Sequence, residues 1–129
     1  MAYQLNVRIE KDSEHITHLK LSELRLIKDG ELDWFILIPK KENLKEITDL
    51  SMDDQVQLLK EINIVTETLN NHSQFSKLNI ASLGNIVSQL HIHIIARKVN
   101  DRAWPNAIWS TKSKNNFKND KIQFWKNHF

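Results

Sequence analysis

The run of residues 89–97, Gln-Leu-His-Ile-His-Ile-Ile-Ala-Arg, constrains the fold more than any other part of the chain. Polar and apolar side chains alternate along it, as they do in a β-strand with one buried face. We therefore predict a strand from Val87 to Arg97. Its apolar members would point into the core: Leu90, Ile92 and Ile94. Its polar members would stand in a row on the opposite face, with neighbours about 7 Å apart: Gln89, His91 and His93.

Hydrophobic periodicity elsewhere predicts an α+β fold, with several antiparallel strands and helices set to one side. Further strands are expected at residues 19–26, 34–38 and 78–81, and the apolar run 34–38 would be a central strand. A helix should begin at Ser51 and end near residue 70. Part of residues 3–16 and the last dozen residues should hold short helices. The long helix should face the sheet with residues at helical spacing: Leu58, Ile62, Val65 and Leu69.

Two glycine-containing turns punctuate these elements. Asp29 and Gly30 follow one predicted strand, and this pair suits the positive dihedral angles of a tight hairpin. Gly84 and Asn85 lie between the last two predicted strands. Because glycine has no side chain, backbone amides at Gly84 could approach an anion closely.

Length and composition limit the class of protein. The 129 residues predict one domain, 1–129, with a lysine-rich extension at about 110–129 that we interpret as a solvated tail. Cysteine is absent and the formal net charge is only +2, so a disulfide framework is excluded and nucleic acid is not an expected partner. The N-terminus lacks an apolar signal sequence, and no apolar run could span a membrane. We predict a cytoplasmic protein with no membrane partner.

The paired histidines are the candidate chemical groups. A neutral imidazole has one basic nitrogen and one donor nitrogen, so it can attack phosphorus or give a proton near neutral pH. Two other interpretations stay open at this point. The histidines could be ordinary polar residues, or they could share a Zn²⁺ ion, which would need a third protein ligand. The remaining histidines lie in no motif that supplies one: His15, His18, His72 and His128.

The segment Leu83-Gly84-Asn85-Ile86-Val87-Ser88-Gln89-Leu90-His91-Ile92-His93-Ile94-Ile95-Ala96-Arg97 resembles the signature of histidine-triad (HIT) proteins, His-φ-His-φ-His-φ-φ, where φ is apolar. Phe35-Ile36-Leu37-Ile38-Pro39-Lys40-Lys41 is similar to the family's strand ending in Ile-Pro-Lys. The resemblance covers roughly residues 19–109. Gln89 stands in place of the first histidine, as in a bacterial branch of the family. Ile86 and Asn85 replace residues that many relatives use near phosphate.

The resemblance implies a fold and a set of site residues. The fold would be an antiparallel sheet of about five strands that carries a long helix and shorter helices. His91 matches the nucleophile, and His93 matches the histidine that donates to a phosphate oxygen. Gln89 can donate a hydrogen bond but cannot carry a proton. The remaining implied residues bind phosphate (Asn79, Gly84 and Asn85) or ribose hydroxyls (Asp29). Trp104 and Trp109 could wall a base pocket or a dimer contact, or could be core residues.

The resemblance also implies a nucleotide substrate, a homodimer formed through the long helix and an edge strand, and no cofactor or metal. The leading hypothesis is a hydrolase or transferase of nucleoside phosphates that forms a nucleotidyl-histidine. The alternative is a nucleotide-binding protein with little or no turnover, which the replacements at Gln89 and Ile86 favour. A metal-dependent hydrolase with His91 and His93 as ligands is a third hypothesis.

Overall fold

A five-stranded antiparallel sheet organises the chain in the computed structural model, which describes residues 3–129. The strand order is β1-β2-β3-β5-β4, so the predicted central strand, β3, is in the middle. Three helices pack on the sheet, and the α+β prediction is confirmed. The strands are β1 (Ser13–His18), β2 (Ser22–Ile27), β3 (Trp34–Pro39), β4 (Lys77–Ser82) and β5 (Ile92–Arg97). The helices are α1 (Val7–Asp12), α2 (Met52–His72) and α3 (Asp120–Lys126), and one short 3-10 helix spans Ile47–Asp49.

One face of the sheet carries the main hydrophobic core under α2 and α3. Helix α2 begins where predicted, because the Ser51 side chain accepts a hydrogen bond from the Asp54 backbone N–H at 3.2 Å. Its predicted inner residues line the core, although Ile62 is only partly buried. Alternate residues of the strands meet them, which confirms the predicted orientation of the apolar positions around β5: Leu90, Ile92 and Ile94.

The opposite face of the sheet is covered only in parts. The N-terminal segment and α1 lie over β3, where Leu5 and Ile9 pack against Ile36 and Ile38. Residues 101–111 cover another part, where Ile108 packs with Ile95. His91 and His93 lie on this face, between two small apolar clusters.

The first strand and the turn after it differ from the prediction. Helix α1 agrees with the prediction of a short helix in part of residues 3–16, but the pattern predicts no strand at β1, whose register with β2 shifts between His15 and Thr17. Such a bulge breaks the alternation by which a strand is recognised. Residues 19–21, predicted as strand, form the turn to β2. Glu61 of α2 is fully buried and accepts hydrogen bonds from the backbone N–H groups of Leu21 and Ser22 at 2.7 and 3.0 Å.

The loop between β2 and β3 is longer than a tight hairpin. Gly30 does not adopt the positive φ that we predicted. It is needed for a different reason: a Cβ at this position would lie 2.1 Å from the carbonyl oxygen of Asn115. The lysine-rich extension therefore passes directly over this loop.

The C-terminal extension is also not merely a solvated tail. Trp125 of α3 is 1% exposed and packs edge-to-face on Phe35 at 5.1 Å between ring centroids. Phe129 contacts Phe35 in the same way. The extension thus supplies large aromatic side chains to the main core. No helix within residues 3–129 has the length and apolar character to cross a lipid bilayer.

Candidate functional site

The two histidines of residues 89–97 meet at the start of β5. Strand β5 begins at Ile92, so Gln89 and His91 precede it, and the strand is shorter than predicted. His91 and His93 still share one face, with ring centroids 4.9 Å apart in an edge-to-face arrangement. This is closer than the spacing of about 7 Å expected along a strand. The geometry brings both rings to one place on the incompletely covered face.

The tautomer of His91 follows from its own backbone. Its Nδ1 lies 2.7 Å from the carbonyl oxygen of Gln89. Because a carbonyl oxygen only accepts, Nδ1 must carry the proton. In the neutral ring, Nε2 is then unprotonated and holds a free lone pair. His91 therefore has the tautomer that a nitrogen nucleophile needs.

His93 has the opposite arrangement of protons. The indole Nε1 of Trp34 lies 3.0 Å from Nδ1 of His93. Because an indole N–H only donates, Nδ1 must accept, and the proton of the neutral ring lies on Nε2. The ring is buried, and burial lowers the pKa of His93 to about 3, with a smaller contribution from the neighbouring His91. The site thus offers one basic nitrogen and one neutral N–H donor.

The Nε2 atom of His93 remains accessible although the residue is only 8% exposed. Within residues 3–129, Ser22 Oγ is the one fully buried side-chain nitrogen or oxygen without a hydrogen-bond partner. His93 Nε2 also has no hydrogen-bond partner within these residues, so it is not fully enclosed.

The Gln89 amide is occupied by the N-terminal segment. Its Oε1 accepts from the backbone N–H of Asn6 at 2.8 Å, and its Nε2 donates to the Gln4 carbonyl at 2.9 Å. A cavity of about 440 Å³ lies between this segment, residues 41–45 and Gln89. The glutamine that replaces the first histidine therefore clamps backbone beside His91, and both ends of its amide are in use.

A second contact anchors the same segment. The Tyr3 hydroxyl donates to Oε1 of Glu23 on β2 at 3.1 Å, and burial together with Glu23 raises the pKa of Tyr3. Burial opposes ionisation of Glu23, but hydrogen bonds from His15 and Arg25 outweigh it and lower its pKa below the usual value. The N-terminal segment is thus held at Tyr3 by the buried Glu23 and at Gln4 and Asn6 by the half-buried Gln89.

Asn79 lies near the histidines but has a partner of its own. It pairs with Ile95 across β4 and β5, which makes it a diagonal neighbour of His93 on the same face. Its Oδ1 accepts from Nη1 of Arg97 at 2.8 Å. Because guanidinium groups only donate, this contact fixes the amide with its NH₂ end turned away from Arg97. That end retains two donors.

Arg97 itself is a buried structural cation. It is 1% exposed, and its Nε and Nη2 contact the carboxylate oxygens of Asp101 at 2.7 and 3.0 Å. Nη2 also donates to the Asn106 carbonyl at 2.7 Å. The Arg97 guanidinium holds the pKa of Asp101 well below its usual range. The guanidinium lies 5.7 Å from the ring of Trp104, which therefore contributes to this cluster.

The turn before the histidines is exposed. Gly84 has a φ of 79°, a conformation that side chains disfavour, so the backbone at this turn favours glycine. Asn85 is exposed, and Ile86 is 77% exposed. The phosphate-binding roles of Gly84 and Asn85 stay predictions.

Asp29 is engaged in internal contacts. It is buried, its Oδ1 accepts the backbone N–H groups of Glu31 and Leu32 at 2.8 and 2.9 Å, and both oxygens pair with Arg102. Burial opposes ionisation of Asp29, but the Arg102 guanidinium and the backbone N–H groups of Glu31 and Leu32 together outweigh it and lower the pKa of Asp29. Ribose binding by Asp29 stays a prediction, and it would compete with these contacts.

Two tryptophans surround His93, and sequence reasoning identified only one as a candidate. Trp109 lies 4.8 Å from the His93 ring, and Trp34 lies 5.7 Å away, both edge-to-face. The sequence predicts a central strand that contains Trp34 and gives this residue no functional role. Its position at the start of β3 could have marked it as a candidate, but its contact with His93 depends on the pairing of β3 with β5.

No group of three or more histidine, cysteine or acidic side chains that could hold a metal ion forms among the residues that the structure describes. His91 and His93 are therefore without a third protein ligand in this part of the chain.

Comparisons with known proteins agree with this fold. The HIT domain family model matches residues 8–100. A solved histidine triad protein from Bradyrhizobium japonicum is 38% identical, with a TM-score of 0.92 over 99% of this chain and 96% of that one. One from Sinorhizobium meliloti is 34% identical, with a TM-score of 0.91 over 98% and 93%. One from Marinobacter aquaeolei is 30% identical, with a TM-score of 0.91 over 99% and 93%. No protein of curated function matches the chain.

Proposed function

Because this chain belongs to the HIT domain family, we propose that it is a nucleotide-phosphate hydrolase or transferase that forms a nucleotidyl-histidine on His91. The proposed substrates are dinucleoside polyphosphates or nucleoside phosphoramidates. One observation carries the proposal: the Gln89 carbonyl holds the proton of His91 on Nδ1, so Nε2 is left as a nucleophile beside the Nε2–H donor of His93.

The proposed reaction has two displacements at phosphorus. In the first, Nε2 of His91 forms a bond to the α-phosphorus, and the leaving group departs with the electron pair of its bond to phosphorus. In the second, a water oxygen attacks, the phosphorus–nitrogen bond breaks, and the water gives up a proton to solvent. Replacing water with another nucleophile makes the enzyme a transferase. Two easier steps then replace one difficult displacement.

The neighbouring groups would stabilise charge in these steps. The His91 ring becomes cationic when Nε2 is bonded to phosphorus, and its Nδ1–H still faces the Gln89 carbonyl. The His93 Nε2–H would donate to a phosphate oxygen as that oxygen gains charge. The free NH₂ end of Asn79 and the backbone at Gly84 would supply further donors, and Asn85 would contact phosphate from the turn.

The test is hydrolysis of a fluorogenic adenosine phosphoramidate without added metal. Wild-type protein should release AMP, and His91→Ala should lower kcat/KM by a factor on the order of 10³ or more. His18→Ala removes an exposed histidine at the end of β1 and should leave the rate unchanged. Mass spectrometry of the quenched wild-type reaction should find adenylate on His91. Full activity in His91→Ala would contradict the mechanism.

A binding protein with little turnover is the second candidate, and the Gln89 contacts favour it, since this amide is already used by the N-terminal backbone. In that case AMP would raise the melting temperature, but no AMP would be released from the phosphoramidate.

A metal-dependent hydrolase is the third candidate, and it would lose activity with a chelator and regain it with Zn²⁺. The cytoplasmic location stays a prediction.

We further propose a homodimer formed through α2 and the edge strand β4. An exposed apolar stripe runs along α2 at helical spacing and consists of Met52, Val56 and Leu59. Ile80 on β4 is half exposed on the same side of the sheet. Leu59→Glu should convert the dimer to monomer in analytical ultracentrifugation, whereas Lys60→Glu should not.

A further inference from the structure

We propose that Trp34 is a positioning residue that reserves the Nδ1 lone pair of His93 and so keeps this histidine a neutral donor through Nε2–H. The meaning of this role for phosphate binding rests on the proposed function, but the protonation state of His93 does not.

The contact that carries this proposal leaves one assignment of protons. Trp34 Nε1 lies 3.0 Å from His93 Nδ1, and the indole nitrogen always carries its hydrogen. Adding a proton to neutral His93 would place it on Nδ1, where it would face the indole N–H. Protonation must therefore break this hydrogen bond and move one of the rings.

The rings around His93 hold both partners of this bond in place. Trp109 contacts Trp34 edge-to-face at 5.5 Å and His93 at 4.8 Å. Trp34 pairs with Ile95 across β3 and β5, so it is a diagonal neighbour of His93 on the sheet. Because the sheet and Trp109 restrain Trp34, the indole has little freedom to turn its N–H away.

The aromatic surroundings alone would not exclude a cation. Tryptophan faces attract cations, so a cluster of indole rings can accommodate an imidazolium. Burial and the neighbouring His91 already oppose the imidazolium, and the direction of the Trp34 N–H group opposes it further. Removing that group while keeping an aromatic ring should therefore make His93 easier to protonate, and this separates the positioning role from simple packing.

The experiment is a long-range ¹H–¹⁵N NMR titration of the full chain. In wild-type protein, His93 should be the Nε2–H tautomer at pH 7.5 and should stay neutral at pH 5. In Trp34→Phe, which keeps a ring but has no N–H, the titration midpoint of His93 should rise by about one pH unit or more. Trp109→Phe keeps an aromatic ring against both Trp34 and His93 and leaves the hydrogen bond in place, so it should leave the midpoint within a few tenths of a unit.

Three results would overturn the proposal. The first is an Nδ1–H tautomer or an imidazolium for His93 in wild-type protein at pH 7.5. The second is a Trp34→Phe midpoint equal to that of wild type, and the third is an equal rise in both variants. The wild-type spectrum decides the tautomer even if Trp34→Phe fails to fold. Loss of turnover in every form would refute the proposed function and leave this titration valid, so the two failures are distinguishable.

Discussion

The two faces of the sheet bury their side chains by different means, and β5 contributes to both. Ile92, Ile94 and Ala96 point under α2 and α3, where the cluster is almost entirely hydrocarbon. His93 and Arg97 alternate with these residues and are also buried, on the other face. Every residue of β5 is buried, so burial alone does not distinguish the faces.

The difference lies in what satisfies each buried group. On the helix-covered face, packing suffices for the side chains of β5, because hydrocarbon has no hydrogen bonds to lose. On the other face, His93 needs the Trp34 N–H and Arg97 needs the Asp101 carboxylate. Leaving a buried polar group without its hydrogen-bond partner lowers the free energy of unfolding by more than the hydrogen bond itself contributes. The polar face therefore depends on specific pairs, and its chemistry depends on the same pairs.

Arg97→Met should have the largest effect on stability and is the strongest test of this contrast. The change leaves the buried Asp101 carboxylate without its cation and should lower the free energy of unfolding by about 3–5 kcal/mol. Urea unfolding followed by circular dichroism measures this. Arg8→Met removes an exposed pair with Asp12 and should cost no more than about 1 kcal/mol. Equal costs in the two variants would show that the polar face does not depend on its pairs.

Ile94→Ala tests the helix-covered face. Ile94 is fully buried, so the cavity should lower the free energy of unfolding by about 2–5 kcal/mol. The activity of the folded fraction should be retained, because His91 and His93 lie on the other face. Activity on the phosphoramidate, corrected for the folded fraction, checks this. Val99→Ala, at an exposed position, is the control. Loss of catalysis without loss of stability would reverse the roles assigned to the two faces.

The same contrast explains what could be predicted from the sequence. Alternation along residues 89–97 and the periodicity of α2 correctly predicted which side chains enter the core, because hydrocarbon burial requires no particular partner. The polar contacts could not be predicted in this way. The pairing of Trp34 with His93 and of Gln89 with Gln4 depends on strand register and on a segment distant in sequence. Strand β1 was missed because its bulge removes the alternation.

His93 should make the stability of the protein depend on pH. Its pKa is about 3 in the folded state and near 6.5 when unfolded, so the unfolded chain binds more protons between these values. The stability it contributes is complete above pH 6.5 and falls as the pH drops toward 3, by up to about 1.4 kcal/mol per pH unit.

The measurement compares urea unfolding of wild type with that of His93→Gln, which can still accept from Trp34 but does not titrate. Between pH 6.5 and 5, wild type should lose about 1–2 kcal/mol more than the variant. Asp101 and Asp29 have lowered pKa values, so their contributions change at lower pH. Parallel losses in the two proteins would show that His93 is protonated without difficulty and that the polar face tolerates the cation.

Gln89→Glu should have the smallest effect, and it tests whether Gln89 acts on the backbone or on the reaction. The carboxylate can still accept from the Asn6 N–H but would repel the Gln4 carbonyl. One hydrogen bond of about 1 kcal/mol corresponds to roughly a fivefold change, so we expect amide exchange in residues 3–12 and KM to rise about fivefold. Gln4→Ala keeps the carbonyl that receives the bond and should resemble wild type. A fall in kcat of several orders of magnitude, with amide exchange unchanged, would place the Gln89 amide at the reacting phosphate. Gln89 would then act in the reaction together with His91 and His93, and not only as a structural clamp on the N-terminal backbone.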